Sequence, residues 1–328
     1  MQITSITDIV GGELQNSPSI SFIYNIKTNA KRVIAGDLFL AYNEEDLQTA
    51  IINGAFGIIY DFETSIIDKE IAWIKVNSVK SALEKLYRFK LANIDLQVYY
   101  CDNVTFNMLE VFKSSNKNIK LISSVLEDST KIIENISDED ILFCSNAELL
   151  NRIYPNYCNF GVDNYELKNV MAHSLFETSF SYNDYYFSKL KISSLYIKNF
   201  LDVYNFLDQD IDLTRLKKFD NFKPIFVDKF LNIIEFGRSD KFILTQKEIN
   251  TANCEIDYIN KRYKYAKTLY LTKKYIKDLN EEQYLLENIE NLKEFLKTKK
   301  FNCVYIIGYD FKQVEETLSK SNLNLSLL

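Results

Sequence analysis

The chain has 328 residues, 47% of them hydrophobic, and a formal net charge of −6 at pH 7. The length suits two or three domains with apolar cores, and the acidic balance excludes a broad surface that neutralises DNA or RNA phosphates. The five cysteines are scattered and odd in number, which predicts reduced, mostly buried thiols.

The amino-terminal third alternates between strand and helix patterns. We predict strands over residues 21–26, 36–41, 57–60 and 71–76, and helices over residues 46–53 and 78–89. Asp46 is the expected N-cap of the first helix, and Gly54 is expected to end it. These elements predict an α/β module that ends near residue 93.

The next stretch repeats the alternation. Strands are predicted at 96–100, 119–123 and 140–144, with helices at 105–114 and 147–153. Residues 166–186 have the pattern of short antiparallel strands, and residues 193–207 return to helix. The pattern favours a mostly parallel sheet flanked by helices and predicts a second domain over residues 94–240.

The last third, residues 241–328, predicts a small α/β domain. Its expected elements are strands at 268–271 and 303–307, an acidic helix at 280–297 and a helix at 311–319. Gly308 directly follows a predicted strand, which indicates a tight turn into the last helix.

Residues 28–41 and 54–59 carry the most informative motif. Its positions are Thr28-Asn29-Ala30-Lys31-Arg32, then Gly36-Asp37-Leu38-Phe39-Leu40-Ala41, then Gly54-Ala55-Phe56-Gly57. This order resembles the amino-terminal domain of the Mur ligases, especially the type that adds D-alanyl-D-alanine to the UDP-muramoyl tripeptide. The resemblance implies a three-domain α/β architecture with a central, mostly parallel sheet.

In that family an Asp-Ser-Arg stretch helps to hold the uridine diphosphate sugar. The matching positions here are Asn29, Ala30 and Lys31, so the serine hydroxyl is absent. We take Thr28, Asn29, Lys31 and Arg32 as candidate substrate-binding residues that could hold a phosphate. The alternative is that they form a solvated turn.

The ATP loop of the family has no counterpart. None of the eight glycines precedes a lysine, and residues 58–160 contain no glycine at all. The matching strand, turn and helix run through Cys101, Asp102 and Thr105, where side chains would crowd a phosphate and Asp102 would repel it. Thr105 stands near the expected magnesium-binding hydroxyl and is kept as a candidate nucleotide-binding residue, although a threonine after a turn is more often an ordinary N-cap.

The carboxy-terminal motif is also altered. Ile307, Gly308, Tyr309 and Asp310 stand where active members carry Lys-Gly-Ser-Arg, so the basic residues are lost. The single histidine, His173, leaves little room for a histidine-based triad or metal site. The sequence therefore predicts no catalytic residue and no metal.

These observations predict a non-catalytic, cytoplasmic, Mur-ligase-like protein of peptidoglycan precursor metabolism. It would bind a cell-wall enzyme or a UDP-muramoyl precursor, with no cofactor, no nucleic acid and no membrane span. One alternative is a divergent ligase that uses ATP and magnesium through another basic cluster, for which Lys113, Lys117 and Lys120 are the nearby candidates. The other is an interaction scaffold unrelated to the cell wall.

Overall fold

The computed structural model describes residues 1–113, 118–162 and 164–320. The chain separates into two compact units. Unit 1 is Met1–Phe106 with Lys113–Gly161, and unit 2 is Asn107–Phe112 with Val162–Leu328. The three domains expected from the sequence, with boundaries near residues 93 and 240, stay a prediction.

The first half of unit 1 is a five-stranded sheet with helices. Its elements are α1 (Ile3–Val10), β1 (Glu13–Leu14), β2 (Ile26–Lys27), β3 (Leu38–Ala41), α2 (Leu47–Ile52), β4 (Gly57–Tyr60), β5 (Ala72–Lys75) and α3 (Val79–Leu91). The strand order is β1-β5-β4-β3-β2, parallel from β5 to β2, with β1 antiparallel at one edge.

Both faces of this sheet are buried, as the continuous apolar strands require. Leu38 and Leu40 of β3 pack into one core with α1 and α3. Phe39 and Ala41, which point to the other face, pack into a second core with Leu47 of α2.

The second half of unit 1 is a parallel four-stranded sheet. Its elements are β6 (Gln97–Tyr100), the start of α4 (Asn103–Phe112), β7 (Ile119–Ile122), α5 (Thr130–Glu134), β8 (Ile141–Cys144), α6 (Ala147–Ile153) and β9 (Cys158–Asn159). The residues of α4 from Asn107 onward belong to unit 2. The order is β7-β8-β6-β9. Val98, Leu142 and Leu150 belong to the same apolar core as Leu38 and Leu86, so one shared core joins the two sheets of unit 1.

Unit 2 contains an antiparallel meander and a mostly parallel sheet. Its elements are β10 (Leu167–Ala172), β11 (Thr178–Tyr182), β12 (Tyr185–Leu190), α7 (Ile197–Phe206), β13 (Ile225–Phe226), β14 (Phe242–Gln246), α8 (Ile249–Arg262), β15 (Thr268–Thr272), β16 (Gln283–Leu285), α9 (Leu292–Lys297), β17 (Cys303–Ile307) and α10 (Phe311–Lys320). The larger sheet has the order β13-β14-β17-β15-β16, with only β13 antiparallel.

Most of the predicted elements are confirmed, including the strand over 57–60, the helix over 147–153 and the antiparallel strands within 166–186. The strand predicted over 21–26 is wrong for most of its length, since only Ile26 enters β2. No described helix has the length and apolar character needed to cross a bilayer.

The helix predicted over 280–297 is also wrong in its first half. Residues Gln283–Leu285 form β16 and pair with β15, and the helix begins only at Leu292. Gln283 holds this arrangement because its amide group bonds to both the N–H and the carbonyl of Ile276, at 2.9 and 2.7 Å. A distant strand therefore overrides the local charge pattern typical of a helix.

Candidate functional site

A polar cleft of about 900 Å³ lies in unit 1 between two segments that are distant in sequence. One wall is the chain that leaves β2, and the other is α5 with the turn before it. The lining residues are Asn25, Lys27, Thr28, Asn29, Arg32, Glu127, Asp128, Thr130, Lys131, Glu134 and Asn135. Three of the four candidate substrate-binding residues therefore meet in one place.

The first wall is a single tight turn over Ala30–Arg32. The Asn29 carboxamide oxygen accepts a hydrogen bond from the Lys31 N–H at 3.0 Å, which caps the turn. Asn53 donates to the Ala30 carbonyl at 2.9 Å, and Ala30 itself is buried. This anchoring leaves Arg32 exposed along the cleft, whereas Lys31 is exposed but is not one of the residues that line it.

The turn at Gly36 and Asp37 stabilises the chain that forms this wall. Gly36 has φ of 99°, a conformation open to glycine. The fully buried Asp37 carboxylate accepts from the Ile34 N–H at 3.0 Å and from the Asn25 side chain at 3.1 Å. Gly36 thus lets the chain turn before β3, and Asp37 bonds to the backbone of that turn.

Glu134 ties the second wall to β2. Its carboxylate accepts from the Ile26 N–H at 2.6 Å and pairs with the Lys27 ammonium at 3.0 Å. The hydroxyls of Thr28 and Thr130 lie 3.4 Å apart across the cleft. Because these contacts involve backbone and partly buried groups, they fix the spacing of the two walls.

The charges in the cleft are balanced, with three cations against three carboxylates. Lys27 is committed to Glu134, and the Glu127 carboxylate accepts from the Tyr42 hydroxyl at 2.9 Å. Burial, reinforced by Glu127, raises the pKa of Tyr42 above its ordinary value, so this phenol stays a donor. Among the described residues, the lining side chains of Arg32, Lys131 and Asp128 form no ion pair.

Thr105 lies elsewhere in unit 1, in the first turn of α4. The Asp102 carboxylate accepts from the Thr105 N–H at 2.9 Å and from the Thr105 hydroxyl at 3.1 Å. The Thr105 side chain is buried, with 2% of its surface exposed. Asp102 thus acts as the N-cap of α4, where its carboxylate faces the positive end of the helix.

The turn after β17 in unit 2 has the same kind of organisation. Gly308 has φ of 96°, and the Asp310 carboxylate accepts from the Gln313 N–H at 2.8 Å. The other Asp310 oxygen pairs with the Lys247 ammonium at 3.1 Å. Asp310 therefore caps α10.

No sequence pattern indicated the second wall of the cleft. Thr130, Lys131 and Glu134 have the spacing of an ordinary solvated helix face, and only the fold brings them to β2. The described residues hold no group of three or more His, Cys, Asp or Glu side chains arranged for a metal ion.

Comparison with solved structures places the fold. A MurF ligase from Thermotoga maritima in complex with ADP aligns over 92% of this chain and 98% of its own, with a TM-score of 0.53 and 16% identity. MurF from Acinetobacter baumannii aligns over 98% of both chains, with a TM-score of 0.55 and 12% identity. No protein-family model and no curated protein matches the sequence. The chain has a Mur-ligase-like fold, a mixed α/β architecture in which parallel sheets are flanked by helices.

Proposed function

We propose that this chain is a non-catalytic, cytoplasmic, Mur-ligase-like protein of peptidoglycan precursor metabolism. It acts by binding a UDP-muramoyl precursor in the cleft of unit 1 or by binding a cell-wall enzyme. The observation that carries the proposal is the Asp102 cap, since a carboxylate of the chain itself bonds to the N–H that would otherwise face a phosphate.

Asp102 weakens an ATP site in two ways. A phosphate loop uses free backbone N–H groups at a helix N-terminus, and here the Thr105 N–H already bonds to a carboxylate. The carboxylate also adds negative charge beside the place where a polyphosphate would bind. Cys101 and Val104 are buried side chains where the family has glycine flexibility.

The divergent ligase is the second candidate, and Lys120 argues against it. Lys120 stands opposite Leu142, two positions before β7 ends, and its ammonium lies 3.3 Å from Asp140 at the amino end of β8. The turn of Asp102 follows the carboxyl end of β6, which runs parallel to β8. The Lys120 ammonium is thus paired at the amino end of the parallel strands, whereas the Asp102 turn lies at their carboxyl end. Lys113 is exposed, and Lys117 lies outside the described residues.

The precursor assignment is supported by the cleft and by one of the structural neighbours. An Acinetobacter baumannii structure with a TM-score of 0.51 and 11% identity over 98% of both chains is a UDP-N-acetylmuramoylalanyl-D-glutamyl-2,6-diaminopimelate--D-alanyl-D-alanyl ligase. The uncommitted Arg32 and Lys131 provide donors for a diphosphate. Thr28, Asn29 and Asn135 provide neutral polar groups for a sugar or a base.

Calorimetric titration of the full chain with magnesium-ATP tests the non-catalytic assignment. We expect a dissociation constant no tighter than about 1 mM, which corresponds to a binding free energy near −4 kcal/mol. A micromolar constant that Thr105→Ala abolishes would establish the divergent ligase instead. The variant Lys80→Ala, at an exposed position of α3 outside the candidate basic cluster, serves as a control for nonspecific electrostatic attraction of the nucleotide.

The partner assignment has a separate test. Capture from native lysate with the full chain as bait is expected to enrich a Mur ligase or another cell-wall enzyme. If neither such an enzyme is captured nor a UDP-muramoyl precursor bound, the cell-wall assignment fails and an unrelated scaffold role replaces it.

A further inference from the structure

A second cavity, of about 410 Å³, lies within unit 2 and is walled mainly by aromatic rings. These rings belong to Phe176, Phe226, Phe236, Phe242, Tyr258 and Tyr263. A volume of this size matches pockets that bind small molecules, which are mostly apolar with a few placed polar groups.

The rings form a cage because they pack edge to face. The Phe176 and Phe242 centroids are 5.0 Å apart at 83°, and those of Phe226 and Phe236 are 5.1 Å apart at 73°. This arrangement presents ring faces and edges to the cavity, and both attract a further aromatic ring. Phe236 is the most exposed of these rings, and the Lys191 ammonium lies 3.9 Å from its centroid.

Charged groups of opposite sign line the same cavity. Arg262, the last residue of α8, makes no ion pair among the described residues, and its guanidinium lies 6.0 Å from the Tyr258 ring centroid. The Asp240 carboxylate accepts one hydrogen bond, from the Asn302 side chain at 3.1 Å, which leaves further acceptor capacity. The cavity therefore offers one site for an anion and one for a cation beside an aromatic cage.

The cavity lies at one end of the larger sheet of unit 2, and the Gly308 turn lies at the other end. Phe242 begins β14, and its ring packs 5.8 Å from that of Tyr263, the residue after α8. The Gly308 turn follows the carboxyl end of β17, and its N–H donates to Gln246 at the far end of β14. Five residues of extended chain separate the two ends by about 15 Å.

We propose that this cavity binds a free aromatic amino acid. The ring enters the cage, the ligand carboxylate pairs with Arg262, and its ammonium pairs with Asp240. A zwitterion of this kind pairs with both Arg262 and Asp240. An aromatic anion would leave Asp240 without a cationic partner, and an aromatic cation would leave Arg262 without an anionic one. The inference is independent of the precursor cleft, which lies in unit 1.

Ligand-observed NMR and calorimetry on the full chain test the proposal with four probes. L-phenylalanine is expected to bind with a submillimolar dissociation constant. 2-Phenylethylamine lacks the carboxylate, 3-phenylpropanoate lacks the ammonium, and each is expected to bind about tenfold more weakly. L-alanine, which lacks the ring, is expected to show no binding.

Two variants assign the contacts. Arg262→Gln is expected to weaken L-phenylalanine about tenfold and leave 2-phenylethylamine unchanged, because only the former carries a carboxylate. Lys261→Ala, an exposed neighbour that does not line the cavity, is the matched control and is expected to bind as the parent chain does. Equal affinity for all the aromatic probes, no binding of L-phenylalanine, or an unchanged constant in Arg262→Gln overturns the proposal.

Discussion

Tyr24 contacts Gly36 both through a backbone hydrogen bond and through its aromatic ring. The Tyr24 N–H donates to the Gly36 carbonyl at 2.9 Å, and the Tyr24 ring covers the Gly36 Cα so closely that a Cβ there would overlap it. Gly36 also has φ of 99°, which side chains rarely adopt. The turn that supports the first wall of the cleft thus requires glycine for two separate reasons.

Gly36→Val is therefore expected to destabilise unit 1 by about 1–3 kcal/mol, mainly through the positive φ. Tyr24 is 69% exposed, so its ring can move aside and the overlap adds less. Urea denaturation measures the change. Gly237→Val separates the two causes, because Gly237 also has a positive φ, of 76°, but open space around a Cβ, so this variant is expected to show the backbone cost without the overlap. An unchanged stability in Gly36→Val contradicts the assigned role of the turn.

The Asp102 cap predicts a stability change without a gain of nucleotide binding. Asp102→Ala removes the acceptor for the Thr105 N–H and is expected to cost about 1 kcal/mol. Asp102→Asn keeps a side-chain oxygen and is expected to recover most of that loss. If Asp102→Ala instead raises magnesium-ATP affinity into the micromolar range, the carboxylate alone was blocking an otherwise complete site.

Glu255 predicts how the stability of unit 2 depends on pH. Its carboxyl is fully buried, and the hydroxyls of Tyr196 and Tyr305 and the side-chain N–H of Gln246 donate to it. Burial raises its pKa from 4.5 to about 7, and the three hydrogen bonds oppose that rise only in part.

The folded state therefore holds this proton at pH values where the unfolded chain has released it. The contribution of Glu255 to stability is full below about pH 4.5 and is lost as the pH rises to about 7. Denaturant titrations across this window are expected to show a fall that Glu255→Gln flattens. Asp257→Asn, at an exposed position on the same helix, is the control. A fall of equal slope in Glu255→Gln assigns the pH dependence to other groups.

Local features of the fold were predictable from the sequence. Gly36 needs positive φ and Asp37 bonds to Ile34 three residues away, so both roles are encoded in adjacent residues. The same holds for α6, where Asn146 caps the helix by accepting from the Leu149 N–H at 3.0 Å.

Features that depend on distant partners were not predictable. Residues 283–285 lie within a charged pattern typical of a helix, yet pairing with β15 makes them a strand. The second wall of the cleft depends on the bond from the Ile26 N–H to Glu134, which spans 108 positions of sequence. No local pattern marks Glu134 as the partner of Ile26. Only the residues of the first wall could therefore be predicted from the sequence.

The cleft predicts a specific response to a UDP-muramoyl tripeptide. A ligand at one hundred times its dissociation constant adds about 2.7 kcal/mol to the free energy of unfolding, enough to raise the melting temperature of a chain this size by several degrees. Arg32→Ala and Lys131→Ala each remove an uncommitted cation from the lining, so both are expected to reduce the shift.

Lys31→Ala is the matched control, because Lys31 adjoins Arg32 but does not line the cleft. It is expected to keep the full shift, and all three variants are expected to melt with the parent chain when no ligand is present, since these side chains are exposed or make no ion pair. A shift that Lys31→Ala removes and Arg32→Ala does not would place the ligand outside the cleft. If the precursor gives no shift with the parent chain, the cleft does not bind it, and any role in precursor metabolism must come from a protein partner.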